Sequence, residues 1–386
     1  MSEPPPLDAK WLKLVTGLPA TVDLEASASQ CGALKRRRKI KDADSLLRVV
    51  MINAVGHLSL RGTAAWATMQ GLKLSNPAVL KRLKGSANWL GYLVAAALAD
   101  RMPVERMPAG VQASAGYRLR LIDATTLSAP GSHGTDWRLH VAYDLEQMRI
   151  SEVELTDGHG SESLTRFNLQ PGDLAIADRG YAKPLDLAEV EAKGADYIVR
   201  TGWNATRLRA ESGGDFDLLA AVGDVTEHAV REFQLTIALD RSEKQLVPVR
   251  LVALRKNDTA AEASIRRARK ESRRHGKTPQ RETLEAAKYV FLLTSLTPDD
   301  APAEEILALY RLRWQIELLF KRLKSLLRID ELPNKHPEAA RCWILANLLA
   351  ALLVEDQARL LLDAPPSAPR CPRRRTLAVA RPAAVA

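Results

Sequence analysis

Between Tyr310 and Lys324 the chain reads YRLRWQIELLFKRLK. On a helix, steps of three, four and seven return to one face, so Tyr310, Arg313, Glu317, Lys321 and Lys324 share a polar side. Leu312, Ile316, Leu319, Leu323 and Leu326 form an apolar stripe roughly opposite. One acid flanked by cations is thus displayed by a helix anchored on the other side, although a solvated face laced with i,i+4 pairs has the same pattern. Two aspartates each close an apolar run: Asp123 in YRLRLID and Asp178 in DLAIAD. If Asp123, Asp178 and Glu317 converge, their mutual repulsion needs hard cations with oxygen ligands, above all Mg²⁺. Two such ions about 4 Å apart can activate a water or a 3′-hydroxyl and stabilise the leaving oxygen of a phosphodiester. The chain holds 46 acids in 386 residues, so position alone does not select these three.

The elements that must position them follow from texture. Residues 1–112 read as helical, with a basic run Lys35 to Lys41, a helix from Asp44 to Gly56 capped by Asp44 or Ser45, and another starting at Ser75, Asn76 and Pro77. Two short helices around Gly71, with Lys81, Arg82 and Lys84 on the second, resemble a helix-turn-helix, and a plain bundle with basic surface residues fits equally. From Tyr117 the texture is β: strands at Tyr117 to Asp123, Trp137 to Leu145 and Met148 to Leu155, then a short helix near Ser161 to Phe167. A strand from Asp173 to Asp178, a helix from Pro184 to Lys193 and a strand from Asp196 to Thr201 complete the order of a ribonuclease H-like α/β fold. Residues 202–297 are β-rich, with strands at Phe233 to Asp240, Leu246 to Leu254 and Tyr289 to Leu296, and a basic segment from Arg266 to Arg281 suited to a solvated helix or to phosphate contact. One helix is expected from Pro302 to Leu327 and another, apolar, from His336 to Asp363; the Pro-, Arg- and Ala-rich tail 364–386 reads as disordered.

Lys plus Arg exceed Asp plus Glu by 56 to 46, a net charge of +10 that suits a polyanionic partner. Three scattered cysteines argue against a disulfide framework and for a reducing cytoplasm. The start lacks a signal-peptide pattern, and the apolar run from Trp343 to Val354 is too short to span a bilayer, so a soluble protein with no membrane partner is expected.

The helix from Tyr310 resembles the signature of bacterial insertion-sequence DDE transposases of the IS-four group: Tyr, two residues, Arg, three residues, Glu, six residues, Lys. Tyr310, Arg313, Glu317 and Lys324 meet it in full; Asp123 in LIDATTL and Asp178 in IADRGY are similar to the family's first two acids, in order. The resemblance implies a ribonuclease H-like core (113–201 and 298–363) interrupted by a β-rich insertion (202–297) and preceded by a helical DNA-binding region (1–112). It implies metal-dependent cleavage and strand transfer at the ends of an insertion sequence, with two Mg²⁺ ions held by Asp123, Asp178 and Glu317 and Mn²⁺ able to substitute. Tyr310, Arg313 and Lys324, helped by Lys321, would contact phosphates; a homodimer would act on terminal inverted repeats and target DNA, in association with the bacterial nucleoid. Trp203 and Trp314 are candidates for stacking a flipped base, with packing the more ordinary role for each. Asp157 and Glu162 could support the acids from behind, and Glu162 fits equally a first-turn acid at the positive end of a helix begun at Gly160 or Ser161; His133, His140 and His159 fit loop positions better than a metal site. Family members commonly carry a longer helical C-terminal region, so the tail leaves room for a disabled, transposon-derived DNA-binding protein, and a ribonuclease H-like nuclease without strand transfer is a further alternative.

Overall fold

The computed structural model describes residues 11, 14–99, 117–223, 226–239 and 245–363; the expected tail 364–386 and the stretch 100–116 at the end of the N-terminal region lie outside them. The elements, in order, are α1 (Leu24–Gln30), α2 (Ala43–Ala54), α3 (Leu60–Met69), α4 (Asn76–Ala99), β1 (Arg118–Leu127), β2 (Trp137–Asp144), β3 (Arg149–Asp157), β4 (Asp173–Ala177), α5 (Pro184–Ala192), β5 (Asp196–Thr201), β6 (Leu208–Ala210), α6 (Leu218–Val222), β7 (Val230–Ala238), β8 (Leu246–Arg255), α7 (Asp258–Arg274), α8 (Arg281–Ala286), β9 (Tyr289–Thr294), α9 (Ala303–Arg311), α10 (Trp314–Leu327) and α11 (Pro337–Asp363). All nine strands form one sheet in the order β3-β2-β1-β4-β5-β9-β8-β7-β6. β1, β2 and β3 are an antiparallel meander, and β4 and β5 follow parallel to β1, which is the ribonuclease H-like arrangement.

The β-rich block is present, but its strands continue the core sheet: β9 pairs antiparallel with β5 and carries β8, β7 and β6 beyond it. Unpaired N–H and C=O groups along β5 would otherwise form an open edge. Side chains alternate across the sheet. On one face Leu119, Leu121, Leu174, Ile176, Ile198, Val252 and Leu292 pack with α2 to α4 and α9 to α11. On the other, Ile122, Ala175, Ala177, Tyr197, Val199 and Leu251 pack with residues of α5 and α6. Helices therefore cover both faces.

Several sequence expectations are corrected. The helix expected from Pro302 to Leu327 is two, because the chain bends at Leu312 and Arg313, where Arg313, Gln315 and Ile316 donate to the carbonyls three residues back. Tyr310 therefore lies on α9 and Glu317 on α10, and Leu326, expected in the apolar stripe, is 73% exposed. The second helix of the expected helix-turn-helix is not short: α4 runs 24 residues and packs along α11 with Trp89, Leu90 and Leu93 buried. Helix α2 is capped by Asp42, whose carboxylate accepts from the Ser45 N–H, while Asp44 holds Arg48 and Trp11. The basic run Lys35 to Lys41 is not helical, and the short helix near Ser161 is a single 3-10 turn, Leu164–Arg166. Within α11, Pro337–Asp356 is long and apolar enough to cross a bilayer, but most of it is buried inside the fold against α4 and α2.

Candidate active site

Strand pairing brings the two aspartates together. Ile122 on β1 lies opposite Ala177 on β4 where the parallel ladder ends, so Asp123 and Asp178 are the next residues out; Asp178 follows the end of β4, whereas Asp123, expected to close its strand, lies mid-way along β1, which continues to Leu127. By alternation both share a face with Leu121 and Ile176, the face against which α10 packs with Ile316, Leu319, Phe320 and Leu323. Glu317 sits in the first turn of α10, above β1.

Arg313 joins the acids. Its Nη2 donates to Glu317 Oε1 at 2.5 Å, its Nη1 lies 3.8 Å from Asp123 Oδ2, and its guanidinium stands 5.7 Å from the centre of the Tyr310 ring. Tyr310 reaches across from α9, its hydroxyl 3.4 Å from Asp178 Oδ1. Burial pushes the Asp123 carboxyl up to about 6, against the Ala124 N–H and Arg313, with Asp178 and Glu162 adding to the rise. Burial and Asp178 push the Tyr310 hydroxyl up to about 12, so it remains a neutral donor near pH 7. Burial works against the Arg313 charge, but Tyr310, Glu317 and Asp178 together raise its affinity for the proton. Asp123, Asp178, Glu317, Tyr310 and Arg313 thus lie in one cluster. Lys321 and Lys324 line an open groove with Glu317, one and two turns further along α10.

Glu162 does approach the acids: a Cβ at Gly180 would overlap its carboxylate, which explains a glycine two residues after Asp178. Asp157 instead ends β3 and accepts from the His159 N–H. Trp203 is partly buried against the second core, whereas Trp314 is 58% exposed at the start of α10, so the packing role favoured for Trp314 does not hold. His140 is not in a loop; it is buried on β2, with Nε2 3.1 Å from Thr156 Oγ1. Sequence reasoning missed Tyr181, fully buried with an unpartnered hydroxyl beside Asp123 and Glu162, and Arg200, beside Tyr310. Alternation along β5 places Arg200 on the same face as the acids, a signal that becomes useful only once the strand order is known.

A family model described as "Transposase DDE domain" matches residues 114–353. The chain belongs to the DDE transposase family. This DDE transposase is 41% identical over 360 residues to the putative transposase InsL for insertion sequence element IS186A of Escherichia coli (strain K12), covering 92% of this chain and 96% of that protein. It is 25% identical over 364 residues to the transposase for insertion sequence element IS231F of Bacillus thuringiensis subsp. israelensis, covering 86% and 76%. A solved piggyBac transposase synaptic complex with hairpin DNA aligns over 92% of this chain and 76% of that one, at 10% identity and a TM-score of 0.47.

DDE transposases act on DNA and use a divalent metal. The donor set fits a hard cation: half-buried Asp123 with a raised proton affinity, Asp178 beside it and Glu317 above supply carboxylate oxygens. Among the described residues, however, no three His, Cys, Asp or Glu side chains are already gathered around one point. Arg313 instead bonds Glu317 and lies beside Asp123.

Proposed function

We propose that this protein is the transposase of an insertion sequence, which nicks duplex DNA at the element's terminal inverted repeats and joins the freed 3′ ends to target DNA. The observation that carries the reading is the pairing of Asp123 with Asp178 at the end of a parallel ladder, with α10 bringing Glu317 and Arg313 to the same face.

In this reading Asp123, Asp178 and Glu317 would hold two Mg²⁺ ions, with Mn²⁺ as a substitute, which would supply activation of the nucleophile and charge stabilisation at the leaving oxygen. The protein's own groups do the positioning. Arg313 pairs with Glu317, and its buried Nε has no partner, so its fork has a donor to offer a phosphate oxygen. A phosphate entering here would give the guanidinium an anion other than Glu317. Tyr310, kept neutral, donates from the Asp178 side, and Lys321 and Lys324 extend the positive charge along the groove. Trp314, exposed at the start of α10, is the better placed of the two tryptophans to stack on an unpaired base. The N-terminal helices with Lys81, Arg82 and Lys84 add DNA contacts, and a homodimer holds the paired ends, in the cytoplasm and at the nucleoid.

The test is Mg²⁺-dependent cleavage of a duplex carrying the element's end, comparing wild type with Glu317→Gln. The exchange keeps size and removes charge, so the variant is expected to bind the duplex and to cut it at least about a hundredfold more slowly. Equal cutting by both proteins would remove Glu317 from the site. Joining of the cut end to a second duplex separates a transposase from a plain nuclease, and binding without cutting by the wild type would mark a disabled remnant.

A further inference from the structure

The edge that carries the acids does not end at them. β8 runs parallel to β5, since both pair antiparallel with β9, so its last residues emerge on the same edge as Asp178 and Thr201. The register places Arg200 opposite Leu292, which faces the core shared with α9 to α11. One step past β8, Lys256 continues the ladder through its N–H to the Lys288 carbonyl and, opposite in parity to Arg255 and Tyr289, lies on that same face. Arg179 follows Asp178 directly, and α7 begins just after Lys256. From β4 to β8 is three strand spacings, about 14 Å.

We infer that Arg179, Arg200, Lys256 and Arg267 form a phosphate track, continued on α7 by Lys270 and Arg274, that holds the DNA backbone leading away from the acids toward β8. This rests on the transposase reading above. The span of about 14 Å corresponds to about four phosphates of one strand at 3.4 Å rise each. Lys270 and Arg274 lie three and seven residues beyond Arg267, on one side of a helix of which only Ala261 is buried. Arg200 Nε is buried with no hydrogen-bond partner, and no carboxylate within the described residues is ion-paired to Arg179, Arg200, Lys256 or Arg267. The Lys256 ammonium donates to Ser264 Oγ at 3.0 Å and the Ala287 carbonyl at 2.6 Å, which leaves one of its three donors. Burial, then Arg200, Arg179, Arg267 and Arg255, pull Lys256 down to about 8, as expected of cations assembled for an anion. A structural role does not account for the group: like charges crowded together cost stability unless an anion joins them.

The test is fluorescence anisotropy with the full chain and a labelled duplex bearing the element's end, over a series of salt concentrations. Lys256→Gln and Arg267→Glu are compared with wild type and with Lys193→Glu, beyond α5 at the opposite edge. Arg267 is exposed and its side chain makes no hydrogen bond or ion pair among the described residues, so its variant keeps the fold even if Lys256→Gln does not. Each track variant is expected to lower the salt slope by about one and, combined, to weaken binding about tenfold for end and random duplexes alike, with Lys193→Glu unchanged. Ethylation of phosphates next to the cut should interfere with wild-type binding and lose its effect in the variants. If the track variants bind with wild-type slope and affinity while Asp178→Asn still binds and fails to cut, the track is wrong and the transposase reading stands. If the wild type neither binds nor cuts the end, both fall.

Discussion

At the scale of single residues, the buried side chains away from the acids give the clearest consequences. His140 lies inside β2 and bonds Thr156, and burial, then Arg166, hold its proton affinity down at about 4 against a usual value of 6.5. A lowered histidine stabilises the fold only while it is neutral. Its contribution is complete above pH 6.5 and is lost progressively as pH falls toward 4, by up to about 3 kcal/mol. Thermal unfolding measured from pH 7.5 to 4 should show this decline, and His140→Gln should flatten it; an equally steep decline in the variant would assign it to other groups. The two aspartates were legible because each closes an apolar run whose alternation fixes its face, although β1 runs on past Asp123 to Leu127. Arg200 and Lys256 were not, since their relation depends on β9 lying between β5 and β8, a pairing between segments about 90 residues apart that no local pattern announces.

Among the elements, α10 matters most, and its two ends show what sequence can and cannot convey. Its start was hidden: Tyr310 to Trp314 favours helix throughout, and Leu312 and Arg313 keep right-handed helical dihedrals, so the bend is a change of hydrogen-bond pitch set by packing. The bend lets Tyr310 approach Asp178 while Arg313 approaches Glu317 and Asp123. Its end carries a cost: Arg328 caps the helix in the left-handed region, with φ of 48°. Arg328→Gly should therefore stabilise the protein by about 0.5 to 1 kcal/mol, read as a rise in unfolding midpoint with DNA cleavage unchanged. A fall would show that the Arg328 to Glu331 pair, 3.3 Å apart, outweighs the strain. Helix α4 runs unbroken through Gly85 and Gly91, although glycine weakens a helix interior. At Gly91 an added Cβ would meet Leu345 of α11 at 3.9 Å, an ordinary contact distance.

On the scale of the whole molecule, the N-terminal helices and the catalytic sheet share one core. Trp89 of α4 is fully buried, with its ring N–H on Ser27 Oγ, within the same apolar cluster as Leu121 of β1 and Ile316 of α10. Trp89→Ala should cost about 3 to 5 kcal/mol and lower the stability of the catalytic strands together with the helices. Hydrogen exchange would reveal it as loss of protection in β1 and β4 as well as in α1 and α2; loss confined to the helices would mean the region unfolds by itself. The strand types, their order up to β5 and the helical character of both ends were readable from periodicity. That the β-rich block extends the sheet, and that residues 76–99 need residues 337–353 as their cover, could be learned only from the assembled chain.

That last dependence has a bearing on how the protein is made. Helix α4 leaves the ribosome about 240 residues ahead of α11, which at about 5 to 20 residues per second is an interval on the order of 10 to 50 s. Throughout it Trp89, Leu90 and Leu93 have no long helix to lie against. The nascent chain must spend that time shielded or loosely collapsed, and the face bearing Asp123 and Asp178 is covered by α10 only after about 140 further residues have followed Asp178.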